Sequence, residues 1–226
     1  MPLGLFRLRS VATANVVGIL WSAAMFAMFF LSALYLQRVL GYSPLEVGLA
    51  FLPANLIMGA FSLGLSAKLV MRFGIKTPLV GGMALVAFGL ALFAHVPVDG
   101  NFAIDVLPSM IILGLGIGMA MNPVLLAAMS DVKPEDSGLA SGVVNTSFMM
   151  GGALGLAVLA SVAAARTGDD HSVASLVDGY HASFVIGTLF AIAAAVVAAV
   201  LLRGGQPAVA PEFADGAGVP ARAEAC

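Results

Sequence analysis

Few residues of this sequence could carry out chemistry, and they are widely spaced. The best candidate for a nucleophile is Ser141, in the segment Gly-Leu-Ala-Ser-Gly, with His181 as its base. A nucleophile and its base must lie within hydrogen-bond distance of each other. Each residue stands near the beginning of one of two consecutive hydrophobic segments, so antiparallel helices would place them at opposite ends. An intramembrane serine protease is therefore kept only as a remote alternative.

Metal, cofactor and nucleic-acid chemistry have little support in the composition. The single cysteine, Cys226, is the last residue, and one cysteine makes neither an internal disulfide nor a metal site. The chain has 10 basic and 12 acidic residues, and the basic ones do not cluster. A nucleic-acid partner would need a basic patch. We therefore expect no enzyme activity, no cofactor, no metal and no nucleic acid.

The composition instead favours a membrane protein. Hydrophobic residues make up 61% of the chain and charged residues 10%, whereas soluble domains have about 25% charged residues. Six windows contain no charged residue, and each has the roughly 20 residues that a helix needs to cross a bilayer. Runs such as residues 191–200 lack the alternation of a membrane β-strand. The predicted fold is an all-α integral membrane bundle of six transmembrane helices, near residues 12–36, 46–67, 78–95, 105–129, 138–165 and 182–202.

The bundle is expected to occupy residues 12–203, between two segments outside the membrane. Residues 1–11 precede it, and residues 204–226 are rich in Gly, Pro, Ala and Glu, a composition typical of disorder. Basic residues set the orientation of membrane helices. With the N-terminus inside, all basic residues except Arg38 and Arg166 are cytoplasmic. We therefore expect a multi-pass plasma-membrane protein with both termini in the cytoplasm and a polar external loop at about 166–180.

Asparagines are distributed unevenly among the predicted helices. Helices one, two, four and five each contain one, namely Asn15, Asn55, Asn122 and Asn145. In lipid, an amide side chain needs a partner on another helix or a wet cavity. Helices three and six have no asparagine and are almost purely apolar. This order predicts a 3+3 inverted repeat with the apolar helices outermost. For any one asparagine, a structural bond to a neighbouring helix stays open as an alternative.

Small residues and a proline mark the helices that we expect to pack closely or to move. Helix four carries Gly114 and Gly118 at GxxxG spacing. Asn122 and Pro123 follow, and a proline kink there would suit a gate. Helix five presents two sets of small residues for packing, which are Gly138 and Gly142 beside Asn145, and the pair Gly151 and Gly155. Simple tight packing explains the glycines of helix four equally well, and those of helix five would pack against another helix, of this bundle or of a second one.

One face of helix one combines flexible and aromatic side chains. The face is formed by Trp21, Met25, Met28, Ser32 and Tyr35, with Phe26, Phe29 and Phe30 beside it. A wall of methionine and aromatic groups suits a promiscuous apolar cargo. The residues predicted to line a cargo cavity are Trp21, Met25, Asn122, Pro123 and Asn145. The alternative is that the residues of helix one simply face the core or the lipid.

Several segments together resemble a known family. Residues 40–45, Leu-Gly-Tyr-Ser-Pro-Leu, and 48–53, Gly-Leu-Ala-Phe-Leu-Pro, resemble the beginning of the second half of the fourteen-helix drug:proton antiporters. Residues 138–146 and 151–155 are similar to the same group. Residues 68–76, Lys-Leu-Val-Met-Arg-Phe-Gly-Ile-Lys, resemble the cytoplasmic loop motif of the major facilitator superfamily. Over about residues 2–203, the sequence thus resembles the C-terminal half of such an antiporter.

The resemblance implies a role for each helix and for one loop. The first and fourth helices would line a cavity, the second and fifth would face a second bundle, and the third and sixth would lie outside. Arg72, Gly74 and Lys76 would form a cytoplasmic gate loop. The implied function is multidrug efflux, in which small apolar or amphipathic molecules are exported by alternating access, with proton coupling when the carrier is complete. The implied partners are lipid, cargo and a second bundle of six to eight helices, either a separate chain or a second copy.

Three features depart from the pattern of this family. Met71 stands where the loop motif usually carries an acidic residue. No predicted span has a carboxylate at mid-depth, although proton coupling needs an ionisable group within the membrane. One bundle is present, whereas alternating access needs two. A non-transporting remnant or an assembly subunit is therefore the main alternative.

Overall fold

Six long helices form the part of the chain that the computed structural model describes, which is residues 9–130, 132–170 and 172–202. They are α1 (Arg9–Arg38), α2 (Pro44–Phe73), α3 (Lys76–Phe93), α4 (Phe102–Met129), α5 (Ser137–Thr167) and α6 (Val173–Leu201). All six are long and apolar enough to cross a membrane, and no strand occurs among the described residues. The prediction of an all-α bundle of six transmembrane helices is confirmed. The predicted N-terminal segment, except for its last residues, and the predicted tail with Cys226 lie outside the described residues.

Two helices extend further than the charge pattern predicted. α2 continues to Phe73 instead of ending near residue 67, and α6 begins at Val173 instead of residue 182. The predicted bounds of the loop at 166–180 were therefore wrong, because both helices beside it continue into that range. The extra turns carry exposed charged side chains, such as Arg72 and Asp178. Charges mark where lipid ends, whereas a helix can continue into water on its own hydrogen bonds.

The first connection ends in a strong helix start. Gly41 has a φ of 72°, a conformation that a residue without a Cβ adopts easily. Ser43 then caps α2: its Oγ accepts a hydrogen bond from the Glu46 N–H at 3.4 Å. The Glu46 carboxylate accepts one from the Ser43 N–H at 2.8 Å, which completes a capping box. The position of α2 along the chain is thus set by local hydrogen bonds.

Replacing Ser43 by alanine removes the side-chain oxygen of this capping box. We expect the free energy of unfolding of the detergent-solubilised bundle to fall by about 1 kcal/mol, the usual cost of losing an N-cap hydroxyl. Titration with a denaturing detergent, followed by circular dichroism, would measure the loss. Ser141→Ala is the matched control, since Ser141 is an exposed serine within a helix. Equal losses for the two variants would show that the cap contributes nothing specific.

The helices pack as two sets of three. α1 packs along α5 and α6 in one set, and α4 packs along α2 and α3 in the other. If α1, α2 and α3 are exchanged for α4, α5 and α6, the contacts within one set become the contacts within the other. α3 and α6 pack against each other, and so do α1 and α4. The exception is the contact of α5 with α6, which is extensive, whereas α2 and α3 touch little. This pattern is the one expected of a 3+3 repeat.

Burial differs strongly among the helices. In α1 and α4, 56% of the most apolar window is buried in the bundle, and in α2 only 22%. α6 presents an exposed apolar stripe that includes Leu189, Ile192 and Val196. Such a stripe suits lipid contact. α3 does not fit the prediction of an outermost helix as closely, because half of its window is buried. The least covered helix is therefore α2, one of those with an asparagine.

Candidate functional site

The face of α1 predicted to line a cavity is packed inside the bundle. Trp21, with Met28, Ser32 and Tyr35 on the same face, is buried, and Met25 is half-buried. The Trp21 ring lies against Phe148 of α5, with centroids 5.4 Å apart. The cavity role predicted for Trp21 is therefore wrong for this bundle. α1 is apolar on every side, so its periodicity does not distinguish a core face from a cavity face.

The open aromatic surface of α1 lies beside this face, one position further along the sequence. Phe26 occupies the space over Gly152 of α5, where an added Cβ would meet its ring at 2.6 Å. The Phe29 ring lies 5.5 Å from the Phe51 ring of α2, between centroids. Phe30 is 43% exposed. Phe26, Phe29 and Phe30, here called the aromatic turn, thus lie between α2 and α5.

The aromatic turn has the chemistry of a site for apolar or aromatic ligands. Aromatic rings provide large apolar contact and prefer offset or edge-to-face stacking with other rings. Their faces also attract cations at short range. Sequence analysis placed these phenylalanines beside the predicted cavity face and not on it. The signal that could have found them is the small residue Gly152, which leaves room for a ring on the facing helix.

Two open faces lie on the helices that contact the aromatic turn, one on α2 and one on α5. On α2, an added Cβ at Gly48 or Gly59 would have no heavy atom within 4 Å, and Asn55 on the same side is exposed. We call these three residues the α2 face. On α5, the corresponding set is the α5 face, formed by Gly138, Gly142 and Asn145, where both glycines are open and the asparagine is exposed. The predicted packing glycines Gly138 and Gly142 therefore meet no other helix of the described chain.

The other predicted packing glycines lie at close helix contacts. An added Cβ at Gly114 would lie 2.6 Å from the Ala54 carbonyl oxygen of α2, and one at Gly118 would lie 2.8 Å from the Met58 carbonyl oxygen. Gly151 and Gly155 have the same relation to the backbone of α1. These four glycines place α4 against α2 and α5 against α1, at distances that only a residue without a side chain allows.

The four asparagines divide into two pairs. The Asn122 Nδ2 donates a hydrogen bond of 2.8 Å to the Ser62 carbonyl of α2, and the Asn15 Nδ2 donates one of 2.8 Å to the carbonyl of Val11. Asn55 and Asn145 are exposed. The amide of Asn122, predicted to face a cargo cavity, is thus engaged with a neighbouring helix. Pro123, the other cavity candidate on α4, is buried.

The predicted gate loop is a tight reversal between α2 and α3. Gly74 has a φ of 75°, and its N–H donates to the Val70 carbonyl at 2.9 Å, which ends α2. Arg72 is exposed, with its guanidinium carbon 5.3 Å from the centroid of the Phe73 ring. Lys76 begins α3 and is half-buried. We call this side of the bundle the gate-loop end and the other side the far end.

The serine and histidine considered as a protease pair are far apart. The His181 Nε2 lies 2.8 Å from the Val96 carbonyl oxygen at the far end. Two residues on, the Ser183 hydroxyl donates to the Leu159 carbonyl of α5 at 2.7 Å. Ser141 is about 27 Å from Leu159 along the same helix, at 1.5 Å per residue. Ser141 and His181 therefore do not form a catalytic dyad.

Comparison with known proteins identifies the family. The family model described as Major Facilitator Superfamily matches residues 2–156, which is more than half of the chain. The match covers α1 to α4 and most of α5, including the aromatic turn and the gate loop. The chain belongs to the Major Facilitator Superfamily. Its six helices correspond to half of the fold of that family, as the resemblance implied.

Several relatives in this superfamily are named for drug resistance or export. The puromycin resistance protein pur8 of Streptomyces alboniger is 36% identical over 184 residues, which are 78% of this chain and 37% of the relative. The cephamycin export protein CmcT of Amycolatopsis lactamdurans is 32% identical over 89% of this chain and 41% of the relative. The tetracenomycin C resistance and export protein of Streptomyces glaucescens is 34% identical over 75% of this chain and 31% of the relative. The chain thus spans about two fifths or less of the length of these relatives.

Proposed function

We propose that this chain is half of a major facilitator exporter that moves small apolar or amphipathic molecules across the membrane by alternating access. The observation that carries the proposal is the aromatic turn, which leaves Phe30 exposed between α2 and α5. An exposed ring on one side of the bundle suits cargo that carries apolar and aromatic groups. The names of the relatives, which include resistance to puromycin and export of cephamycin, support cargo of this kind.

A second bundle would cover the α2 face and the α5 face. Both faces combine glycines without neighbours and an exposed asparagine, as helix interfaces in membranes often do. They lie on the two helices that contact the aromatic turn, so a bundle that rests on both would enclose the cargo between the two halves. The second bundle of six to eight helices would come from a separate chain or from a second copy of this one.

Proton coupling would need a carboxylate from that second bundle. Among the described residues, the carboxylates within helices that could cross the membrane are Glu46, Asp105 and Asp178. Each stands in the first two turns of its helix, at the far end of the bundle. A coupling group must lie within the membrane and reach the cargo pathway. The complete carrier is therefore proposed to be proton-coupled through a group that these helices do not contribute.

The distribution of basic residues supports an orientation in the plasma membrane. Lys68, Arg72, Lys76 and Lys133 stand at the gate-loop end, and Arg38 and Arg166 stand at the far end. Basic residues are retained preferentially on the cytoplasmic side. We place the gate-loop end, and with it both chain termini, in the cytoplasm.

The transport proposal is tested in liposomes that contain the purified chain and a pH-sensitive dye. Added tetraphenylphosphonium, an aromatic lipophilic cation, should cross the membrane with a saturable rate that a cation-selective electrode measures. Cargo-dependent proton flux under an imposed pH gradient should appear only when the second bundle, which supplies the carboxylate, is reconstituted with the chain. Phe30→Ser should raise the half-saturating cation concentration about fivefold, because aromatic contacts contribute about 1 kcal/mol. Phe88→Ser is the matched control, since Phe88 is an exposed ring on α3.

The outcomes separate the alternatives. Equal behaviour of the two serine variants would contradict the aromatic turn as a cargo contact. The absence of flux from folded chain alone would show that a second copy does not complete the carrier. If co-purification from native membranes then yielded no second bundle either, a non-transporting remnant or an assembly subunit would be favoured.

A further inference from the structure

α2 contains a π-helical turn near its gate-loop end. The turn covers Phe61–Leu65, and the Ser66 N–H bonds to the Phe61 carbonyl, five residues back. A π-helical turn places one extra residue in the helix, and such turns are rare and often functional. Since each α-helical residue turns by about 100°, every residue after the turn is rotated by that angle relative to a continuous α-helix. The π-helical turn therefore decides which side chains of the last part of α2 face the bundle.

α4 holds α2 on both sides of this turn. Before it, Gly118 lies against the Met58 backbone, and after it, the Ser66 hydroxyl donates to the Met119 carbonyl at 3.3 Å. At the turn itself, the Asn122 Nδ2 donates to the Ser62 carbonyl at 2.8 Å. Backbone groups loosened by an irregular helix in lipid need partners from neighbouring helices. Asn122 supplies such a partner where the hydrogen-bond ladder of α2 is irregular.

The segment after the turn, residues 66–73, leads directly into the gate loop. Val70 is 2% exposed and Met71 is 60% exposed, so the rotation of this segment is well defined. Lys68 and Arg72 are both exposed. A rotation of about 100° would take Val70 out of the bundle and bring Leu69 into its place. It would also change the direction of Lys68 and Arg72.

We propose that Asn122 is a positioning residue that stabilises the π-helical turn of α2 and thereby sets the rotation of the segment that carries Lys68 and Arg72. The role does not depend on what the protein transports, and it replaces the cargo contact that the sequence suggested for Asn122. Loss of the amide donor favours an uninterrupted α-helix, in which residues 66–73 take the rotated arrangement. The contact links α4, at the centre of the bundle, to the gate loop.

Cysteine accessibility tests the proposal on the full chain with Cys226→Ser as background. Maleimide labelling rates are measured for Leu69→Cys, Val70→Cys and Met71→Cys, each with and without Asn122→Leu. With Asn122 present, position 70 should label slowly and position 71 quickly. With Asn122→Leu, labelling of position 70 should become about fivefold faster and that of position 69 slower, in line with the modest strength of interhelical hydrogen bonds in membranes. Unchanged labelling rates at positions 69 and 70 would overturn the proposal.

Three further variants separate a rotation from unfolding. Asn122→Gln keeps an amide donor and should retain the original labelling pattern. Asn55→Leu makes the same change of side chain at an exposed position of α2 and should leave position 70 protected. Deletion of Gly64, which has open space around it, removes the extra residue of the turn. Combined with Asn122→Leu, the deletion should restore protection of position 70.

Deletion of Gly64 also tests the proposal if Asn122→Leu disturbs the whole bundle. Val86→Cys reports on the core, because Val86 is buried in α3. If Asn122→Leu exposes position 86 as well, the doubly altered chain is compared with the single variant. Recovery of protection at positions 70 and 86 on deletion of Gly64 supports the proposal. If position 70 or position 86 stays reactive in the doubly altered chain, the proposal is contradicted.

Discussion

Replacement of Gly114 by alanine is expected to lower the free energy of unfolding of the bundle by about 2 kcal/mol, the usual cost of overpacking a close contact. The added methyl group would lie 2.6 Å from the Ala54 carbonyl oxygen, with the Ala54 carbonyl carbon and Cα also within 3.2 Å. These are backbone atoms, so a side-chain rotation does not relieve the overlap. α4 would have to move away from α2, and the contacts on both sides of the π-helical turn would weaken together.

Gly142→Ala is the matched control and should have the opposite sign. It makes the same change within a helix, but an added Cβ at Gly142 has no heavy atom within 4 Å. Alanine is a better helix former than glycine, so the free energy of unfolding should rise by about 0.5 kcal/mol. Denaturing-detergent titration of the two variants in one detergent, with Trp21 fluorescence as the signal, compares them directly. Equal destabilisation by the two changes would show that the close contact at Gly114 is not specific.

Replacement of Gly142 by tryptophan is expected to abolish transport by the complete assembly while the bundle itself stays folded. The indole would project from the α5 face, where the second bundle is proposed to rest. A clash of that size in a helix interface costs several times the thermal energy, so cargo-dependent flux should fall by at least about tenfold. Within the isolated chain the same side chain meets open space, and its free energy of unfolding should change by no more than about 0.5 kcal/mol.

Two measurements distinguish loss of assembly from loss of folding. The first is the flux assay, with Leu189→Trp as control, since Leu189 belongs to the apolar stripe of α6 proposed to face lipid. The second is labelling of Gly138→Cys in a background with Cys226→Ser. Position 138 should be protected in native membranes and reactive in the purified chain. Full flux from Gly142→Trp, or equal reactivity of position 138 in both preparations, would contradict the α5 face as the docking surface.

The sequence predicted that several glycines of the bundle lie at helix contacts, but it did not distinguish which helix each of them meets. Gly114 and Gly142 both follow a GxxxG-like pattern and both were expected to contact another helix. The structure places Gly114 against Ala54 and leaves Gly142 open. A spacing of four residues shows that a helix has a flat side, but it carries no information about which helix covers that side.

The aromatic residues of α1 show a second limit, which concerns the prediction of the buried face of a helix. The sequence favoured the side with Trp21 and Met25 as the cargo surface, and the open side proved to be the aromatic turn one position along. A soluble helix reveals its buried face because the opposite face is polar. α1 is apolar on every side, since both lipid and core select apolar residues, and so its buried face left no periodic signal.

Local physical chemistry was enough for the outline of this protein. Charge-free windows identified six membrane-spanning helices, because a charge in the bilayer core is costly wherever the helix packs. The motifs around residues 40–53 and 68–76 indicated the superfamily. Each motif lies within a single stretch of chain, so recognising it does not depend on how the helices pack. The tertiary structure decided what depends on contacts between distant segments: the faces of α1 and α5 that stay open, and the bond from Asn122 to Ser62. Those relations follow from how the helices pack, and packing among apolar surfaces in lipid is set by shape, which no single segment specifies.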